Sequence, residues 1–458
     1  MASTLFSGGT VVTSDASFAA DLLVVDGRVA AIGSALSADA DERVDCNGRL
    51  LVPGGVDVHT HLDAPMMGTT TSDDFESGTR AAACGGTTTI VDFALQVKGQ
   101  RIPETLALYH EKAAGRAAVD YGFHIAVTDL YDGAIADLGG VVDDGVTSFK
   151  IFMAYRGMMM LDDGEMFEVM REAGRRGAQV CIHAENGDVI DRVAADLVAQ
   201  DKTEPRYHAV SRPPSTEVEA VRRAIQISRI ADAPIYFVHL SVAGSAEAVA
   251  AARAEDWPVS AETCTHYLTL GPELYDRPDF EGAKVVLTPP LREPEHREAL
   301  WKSLRTGALG VVSSDHCPFC FRDQKELGRD DFRRIPNGGP GVEHRMPLMY
   351  GEGVRTGRLS VEQYVNLTAT TPAKSFGLFP RKGALTVGSD ADVVVLDPSG
   401  TTTISADTQV QRIDYTPWEG WTTPGRIERV YSRGRLVSRD GSFVGNAGHG
   451  RYLARSRL

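Results

Sequence analysis

From about residue 51 onward the chain alternates short, β-rich apolar runs with longer Ala- and Glu-rich stretches, and nothing else in it narrows the fold as much. The runs cover 51–58, 88–93, 123–127, 148–153, 179–184, 235–240, 259–264 and 310–315, with helical stretches such as 163–177, 216–232 and 244–254 between them. A strand, a crossover helix and a further strand build parallel sheet. About eight such units close an α/β (β/α)8 TIM-like barrel. A doubly wound open sheet shares the alternation, but it would not collect polar residues at so many strand ends.

The 458 residues exceed the ~250 of a barrel, and the surplus is β-rich at both ends. Thr10–Thr13, Asp21–Val25 and Val29–Ile32 read as strands, with Asp26-Gly27 as a hairpin turn. Gly388–Asp392 reads as a turn into Val393–Leu396, followed by short strands through 426–444. The economical arrangement is a small β-sandwich domain made by both chain ends (1–50 and 380–445) around an inserted barrel (51–379). The arginine-bearing tail, 446–458, is expected to be mobile or to dock on a neighbouring subunit.

A net charge of −15, scattered along the chain, argues against nucleic acid or an anionic membrane as partner. No apolar run reaches the ~18 residues of a membrane span, and the start lacks a basic segment followed by an apolar one. Six widely spread cysteines suggest no disulfide framework, so a reducing cytoplasm is the expected location. Cys317 and Cys320 form a Cys-x-x-Cys without a second pair to complete a structural zinc site, and read as two free thiols in a loop.

Chemistry gathers where the apolar runs stop. His59-Thr60-His61 ends the first run. Side chains at i and i+2 of a strand point the same way, so both imidazoles can reach one divalent ion. Later runs end near Lys150, His183, His239 and Asp315. Singly, each has a bland explanation: a hydrogen-bonded structural histidine, a snorkelling lysine, a turn aspartate. Together, at equivalent places in one architecture, they point to a two-metal site. Lys150 lies within Phe149-Lys150-Ile151-Phe152, where an ammonium is costly to bury. Carbon dioxide added to its neutral amine would give an anionic carbamate with two oxygens, able to bridge two cations otherwise met by one carboxylate and four imidazoles.

These segments, with His183-Ala184-Glu185-Asn186 and Ser313-Ser314-Asp315-His316, resemble the amidohydrolase superfamily. Four longer strings are similar to the dihydropyrimidinase and hydantoinase family: Asp73–Thr79, Gly85–Thr89, Ser148–Tyr155 and Ile335–Gly339. The resemblance runs from about residue 5 to residue 455. It implies that His59, His61 and Asp315 hold one metal, that His183 and His239 hold the other, and that carboxylated Lys150 bridges them. It implies zinc as the ion and a homotetramer as the assembly. Tyr155 would bind the substrate carbonyl and its oxyanion. Thr288 and Asn337 would bind the cyclic amide through main-chain groups; many relatives have Ser where Thr288 stands, a change that main-chain binding tolerates. Asp315 would move the proton as a dihydropyrimidine or 5-substituted hydantoin opens to an N-carbamoyl amino acid. Loops Ala64–Gly68, Phe93–Gln96 and Tyr155–Met160 would face the exocyclic substituent, the last with methionines where some relatives have aromatic residues. A dihydroorotase would follow its His-x-His with Arg, whereas Leu62 and Asp63 stand here. An allantoinase-like ureide hydrolase stays open as an alternative. A metal-free scaffold homologue is disfavoured, because every ligand position is filled.

Overall fold

The computed structural model describes residues 3–37 and 39–457; Met1, Ala2, Ala38 and Leu458, which the expected terminal segments include, lie outside the described residues. Eight strands carry the barrel: β1 (Gly55–Thr60), β2 (Thr87–Leu95), β3 (Asp120–Ala126), β4 (Ser148–Phe152), β5 (Gln179–His183), β6 (Ile235–Phe237), β7 (Val259–Cys264) and β8 (Val311–Ser313). Each pairs in parallel with the next in sequence. β8 returns towards β1 through a parallel bridge between Thr60 and His316, and His61 N donates to His316 O at 2.8 Å. Every residue of β1 to β5 is buried, as expected of parallel strands covered on both faces. That double burial is why these strands read as continuous apolar runs.

The crossover helices begin and end on local signals. Asp74 caps Phe75–Cys84 by accepting from Glu76 N and Ser77 N, and Ser77 Oγ accepts from Asp74 N in return. Asp162 and Glu165 make the same reciprocal box before Asp163–Arg176, which ends at Gly177 in the left-handed region.

The run expected as one strand at 51–58 is two. Leu50–Pro53 pairs antiparallel with Val393–Leu396 and in parallel with Thr10–Val11, so it belongs to the sheet made by the chain ends; β1 begins only at Gly55. The crossing needs glycine: a Cβ on Gly54 would lie 2.1 Å from Thr88 Oγ1. Among the described residues the end sheet has nine strands, and Ser3–Val12 pairs with three of them. It surrounds its own apolar cluster, including Phe6, Val11, Leu22, Val24, Val393 and Val395.

Sheet and barrel are joined at the N-terminal end of β3. Lys382 Nζ lies 2.6 Å from Asp120, 2.9 Å from Asp392 and 3.1 Å from Asp390, all buried. The tail departs from expectation: it docks on its own barrel. Tyr121 N donates to Arg451 O, Leu453 N donates to Tyr121 O, and the buried Arg455 guanidinium donates to Phe123 O. One main-chain carbonyl accepts from that guanidinium, and burial lowers it to about 10.

Candidate active site

The C-terminal ends of five strands bring the expected ligands together. His59 lies in β1 and His61 just beyond it; Lys150 lies in β4 and His183 ends β5; His239 and Asp315 follow β6 and β8 by two residues. All six are buried. His59 Nε2 is 3.0 Å and His61 Nε2 3.5 Å from Asp315 Oδ1. Lys150 Nζ is 3.2 Å from His59 Nε2 and sits over the ring of Phe93, 4.2 Å from its centroid. His183 Nδ1 and His239 Nε2 face each other at 3.0 Å.

Backbone strain accompanies this convergence. Tyr155, His239 and Asp315 have φ of 68°, 41° and 47°, in the left-handed region that costs a bulky residue ~1–3 kcal/mol. Burial alone would favour a neutral Asp315, but His59, His61 and His239 hold its carboxyl well below the usual carboxylate range. Burial outweighs Asp315 at His61 and brings that imidazole down to about 3, so it presents a neutral nitrogen.

The substrate-side candidates line the same cavity. Tyr155, Thr288, Asn337 and Gly338 stand beside His61, Lys150, His183, His239 and Asp315. Asn337 Nδ2 is 3.5 Å from Tyr155 Oη. Burial raises the Tyr155 hydroxyl above the ordinary tyrosine range, so it remains a hydrogen-bond donor.

The sequence matches the model of the amidohydrolase family over residues 50–437, most of its length. The chain belongs to the amidohydrolase family. It is 46% identical to the D-hydantoinase of Geobacillus stearothermophilus over 99% of this chain and 96% of that protein. The crystal structure of dihydropyrimidinase from Brevibacillus agri NCHU1002 superposes with a TM-score of 0.98 at 49% identity, covering 100% of this chain and 99% of that one. L-Hydantoinase (dihydropyrimidinase) from Arthrobacter aurescens superposes with a TM-score of 0.91 at 30% identity, covering 99% of this chain and 100% of that one. Barrel, end sheet and membership therefore agree with the expectations drawn from the sequence.

The side chains present in this amidohydrolase fit a divalent metal. The ligand atoms of His59, His61 and Asp315 lie within 4.8 Å of one another. Two donors each ~2.1 Å from a tetrahedral ion stand about 3.4 Å apart, close to the spacings above. Neutral imidazole and carboxylate are the donor types such ions take.

Several residues that support the site went unnoticed in the sequence. Glu262, in the middle of β7, holds the outer face of His59 through Nδ1. Its other oxygen accepts from Tyr236 Oη at 2.9 Å and Ser313 Oγ at 2.6 Å. Carboxylates in this position fix the tautomer and orientation of a metal-binding histidine. The available signal was a carboxylate inside a buried strand, Val259-Ser260-Ala261-Glu262. Glu185 does the same for His183 Nε2 at 2.9 Å, and Arg212 donates to it at 2.7 Å. Burial opposes ionisation of Glu185, but Arg212 and His183 bring it down to about 2. Cys317, expected in a loop, lines the cavity, with Sγ 3.5 Å from Met66 Sδ.

The three loops expected to face the substituent border an adjoining cavity of about 490 Å³. Its wall includes Met66, Met67, Leu95, Gln96, Met158 and Met159. Met66, Met67 and Met159 also border the ligand cluster, so the two spaces adjoin.

Proposed function

We propose that this chain is a two-metal cyclic amidohydrolase that opens the ring amide of dihydropyrimidines and 5-substituted hydantoins to N-carbamoyl amino acids. The observation that carries the proposal is the convergence of His59, His61, Lys150, His183, His239 and Asp315 beside one cavity. The names of the relatives, D-hydantoinase, dihydropyrimidinase and L-hydantoinase, support the substrate class.

His59, His61 and Asp315 would hold one ion, and His183 and His239 the second. Lys150, as a carbamate, would stand between them. Its amine has aromatic and imidazole neighbours, and addition of carbon dioxide, with loss of a proton, supplies the anion that two dications need. Zinc is the ion proposed. Divalent ions at such a site supply Lewis acidity, making a ring carbonyl more electrophilic and water more acidic.

The protein's own groups perform the rest. Thr288 and Asn337 hold the edge of the cyclic amide through main-chain groups. The Tyr155 hydroxyl donates to the carbonyl oxygen as negative charge develops there. Asp315 accepts the proton that water gives up and delivers it to the departing ring nitrogen. The methionine-walled cavity receives the exocyclic substituent, and flexible thioethers suit apolar groups of varied shape.

The enzyme is further proposed to divide into a barrel running to 379 and an end domain from both chain ends, the first boundary, expected at 50/51, moving to Gly54 because Leu50–Pro53 pairs in the end sheet, with 380–445 completing the end domain and the tail 446–458 following. It is proposed to act as a homotetramer in a reducing cytoplasm, in keeping with free cysteines at all six positions. No helix among the described residues is long and apolar enough to cross a membrane.

The decisive experiment compares steady-state opening of dihydrouracil, dihydrothymine, hydantoin, both enantiomers of a 5-substituted hydantoin, and allantoin by zinc-loaded enzyme. Opening of dihydrouracil or a hydantoin is expected. Turnover of allantoin alone would move the enzyme to ureide hydrolysis, and no turnover of any ring would refute the proposal.

A further inference from the structure

Lys325 is fully buried outside the catalytic cluster, and the chemistry described so far makes no use of it. Its ammonium donates to three main-chain carbonyls: Val286 O at 2.8 Å, Pro336 O at 2.6 Å and Gly338 O at 2.6 Å. These oxygens come from two loops far apart in sequence. One leads into Thr288 and the other surrounds Asn337, the two residues given to the cyclic amide.

The consequence follows from which peptide groups are already engaged. On either side of Asn337 the carbonyls of Pro336 and Gly338 turn towards Lys325. Peptide planes in an extended loop alternate, so the Asn337 carbonyl between them is turned the other way, towards the cavity that Asn337 lines. Among the described residues its one hydrogen-bond donor is a distant thiol, Cys317 Sγ at 3.9 Å. Before Thr288, Val286 O takes both Lys325 and the Gly338 amide, the latter at 3.1 Å, and Leu287 O accepts from His208 Nε2 at 2.9 Å. The loops are thus stitched to each other and to one cation, leaving the peptide groups at Thr288 and Asn337 for a ligand. Gly338 permits the close approach: its φ is 145°, and a Cβ there would lie 2.4 Å from Cys317 O.

A buried ammonium is expensive unless all its protons are used. Here three carbonyl oxygens take them. Burial lowers the amine to about 7, so the position is maintained against a real desolvation cost. A methionine of similar length would fill the space without that cost, so the lysine is better explained by what it holds than by packing.

We propose that Lys325 is a positioning residue for substrate: its ammonium fixes loops 286–288 and 336–338 so that the peptide groups of Thr288 and Asn337 face the cyclic amide before it arrives. The inference rests on the proposed ring-opening activity and adds to it the element that sets ring affinity. It makes no contact with the reacting atoms, so its loss weakens ring binding while the proton-transfer and metal-holding groups stay in place. Removing binding shared equally by ground state and transition state raises KM and leaves kcat nearly unchanged.

The test uses zinc-loaded wild type, Lys325→Met and Lys325→Gln with the ring that wild type opens fastest, measuring kcat, KM and metal content. In Lys325→Met, KM should rise about tenfold or more, as for loss of hydrogen bonds from a charged group, with kcat within about threefold and metal content unchanged. Lys325→Gln, which keeps two N–H donors, should show a smaller rise. A folded, metal-loaded Lys325→Met with wild-type KM, or one that loses kcat instead, overturns the proposal. Should neither variant fold, hydrogen exchange on substrate-free wild type decides it. The hydrogen-bonded amides of Val286 and Gly338, one in each loop, should exchange as slowly as those of β8, and rapid exchange there overturns the proposal. Wild type that opens no ring would refute the proposed function instead, an outcome visible before any variant is made.

Discussion

Glu262→Gln isolates what a buried negative charge contributes to the metal site. Glu262 is isosteric with glutamine and meets His59 Nδ1 on one side and two hydroxyls, Tyr236 and Ser313, on the other. The glutamine oxygen can replace the carboxylate oxygen at His59, while its NH2 group donates to hydroxyls that rotate to accept. The number of hydrogen bonds to residue 262 is therefore preserved, while the charge is removed and the two hydroxyls turn from donors into acceptors. A hydrogen bond to a charged group is worth ~1.5–3 kcal/mol against ~0.5–1.5 kcal/mol for a neutral pair. The gap is realised most fully when His59 is coordinated, because coordination makes its Nδ1–H more acidic. The loss of about 1–1.5 kcal/mol corresponds to roughly five- to twelvefold weaker metal binding. Competition against a chromophoric chelator would measure it, with thermal unfolding of the apoprotein as control. Glu262→Ala should be far worse, since it strands the His59 N–H and both hydroxyls, at least ~3 kcal/mol in all. Metal affinity within twofold of wild type in a folded Glu262→Gln protein would show that the carboxylate does not act through His59.

Asp315→Asn should lower kcat by about 10²–10⁴-fold with the barrel intact by circular dichroism; near-normal turnover would remove Asp315 from proton transfer. Lys150→Ala should no longer retain two ions per chain, and short carboxylic acids added to the buffer should restore loading. An intact variant that binds two ions unaided would exclude the carbamate. Lys382→Met removes the cation shared by Asp120, Asp390 and Asp392. Arg433 still serves Asp120 and Arg381 still serves Asp390, so Asp392 is the carboxylate left without a cation. Guanidinium unfolding should show a loss of ~3–5 kcal/mol at neutral pH. Burial already raises Asp392, and losing Lys382 raises it further. The folded variant then holds a proton that the unfolded chain gives up. The deficit relative to wild type should therefore shrink as pH falls from 8 towards 5. A pH-independent deficit, or no recovery on adding Asp392→Asn, would contradict this assignment.

What was legible in the sequence follows from how a barrel buries its strands. Strands covered on both faces are apolar throughout, so a histidine, lysine or aspartate at the end of such a run stands out. That is why His59, His61, Lys150, His183, His239 and Asp315 were visible as a set. Groups whose importance comes from a distant partner were not. Glu262 matters because folding places it against His59, 203 residues away. Lys325 sits in the polar stretch Asp323-Gln324-Lys325-Glu326 and looks solvent-facing until two loops close over it. The tail misled for the same reason: its arginines suggest solvent or another subunit, yet Arg455 meets Phe123 O at the floor of its own barrel. The split at Gly54 was hidden because both halves of the run are equally apolar, one serving the end sheet and the other the barrel.

Anomalous diffraction at the zinc edge from crystals of the fully loaded enzyme tests the central claim most directly. Two peaks per chain are expected among His59, His61, His183, His239 and Asp315, with continuous density extending from Lys150 Nζ between them. One peak beside a bare Lys150 amine would contradict it.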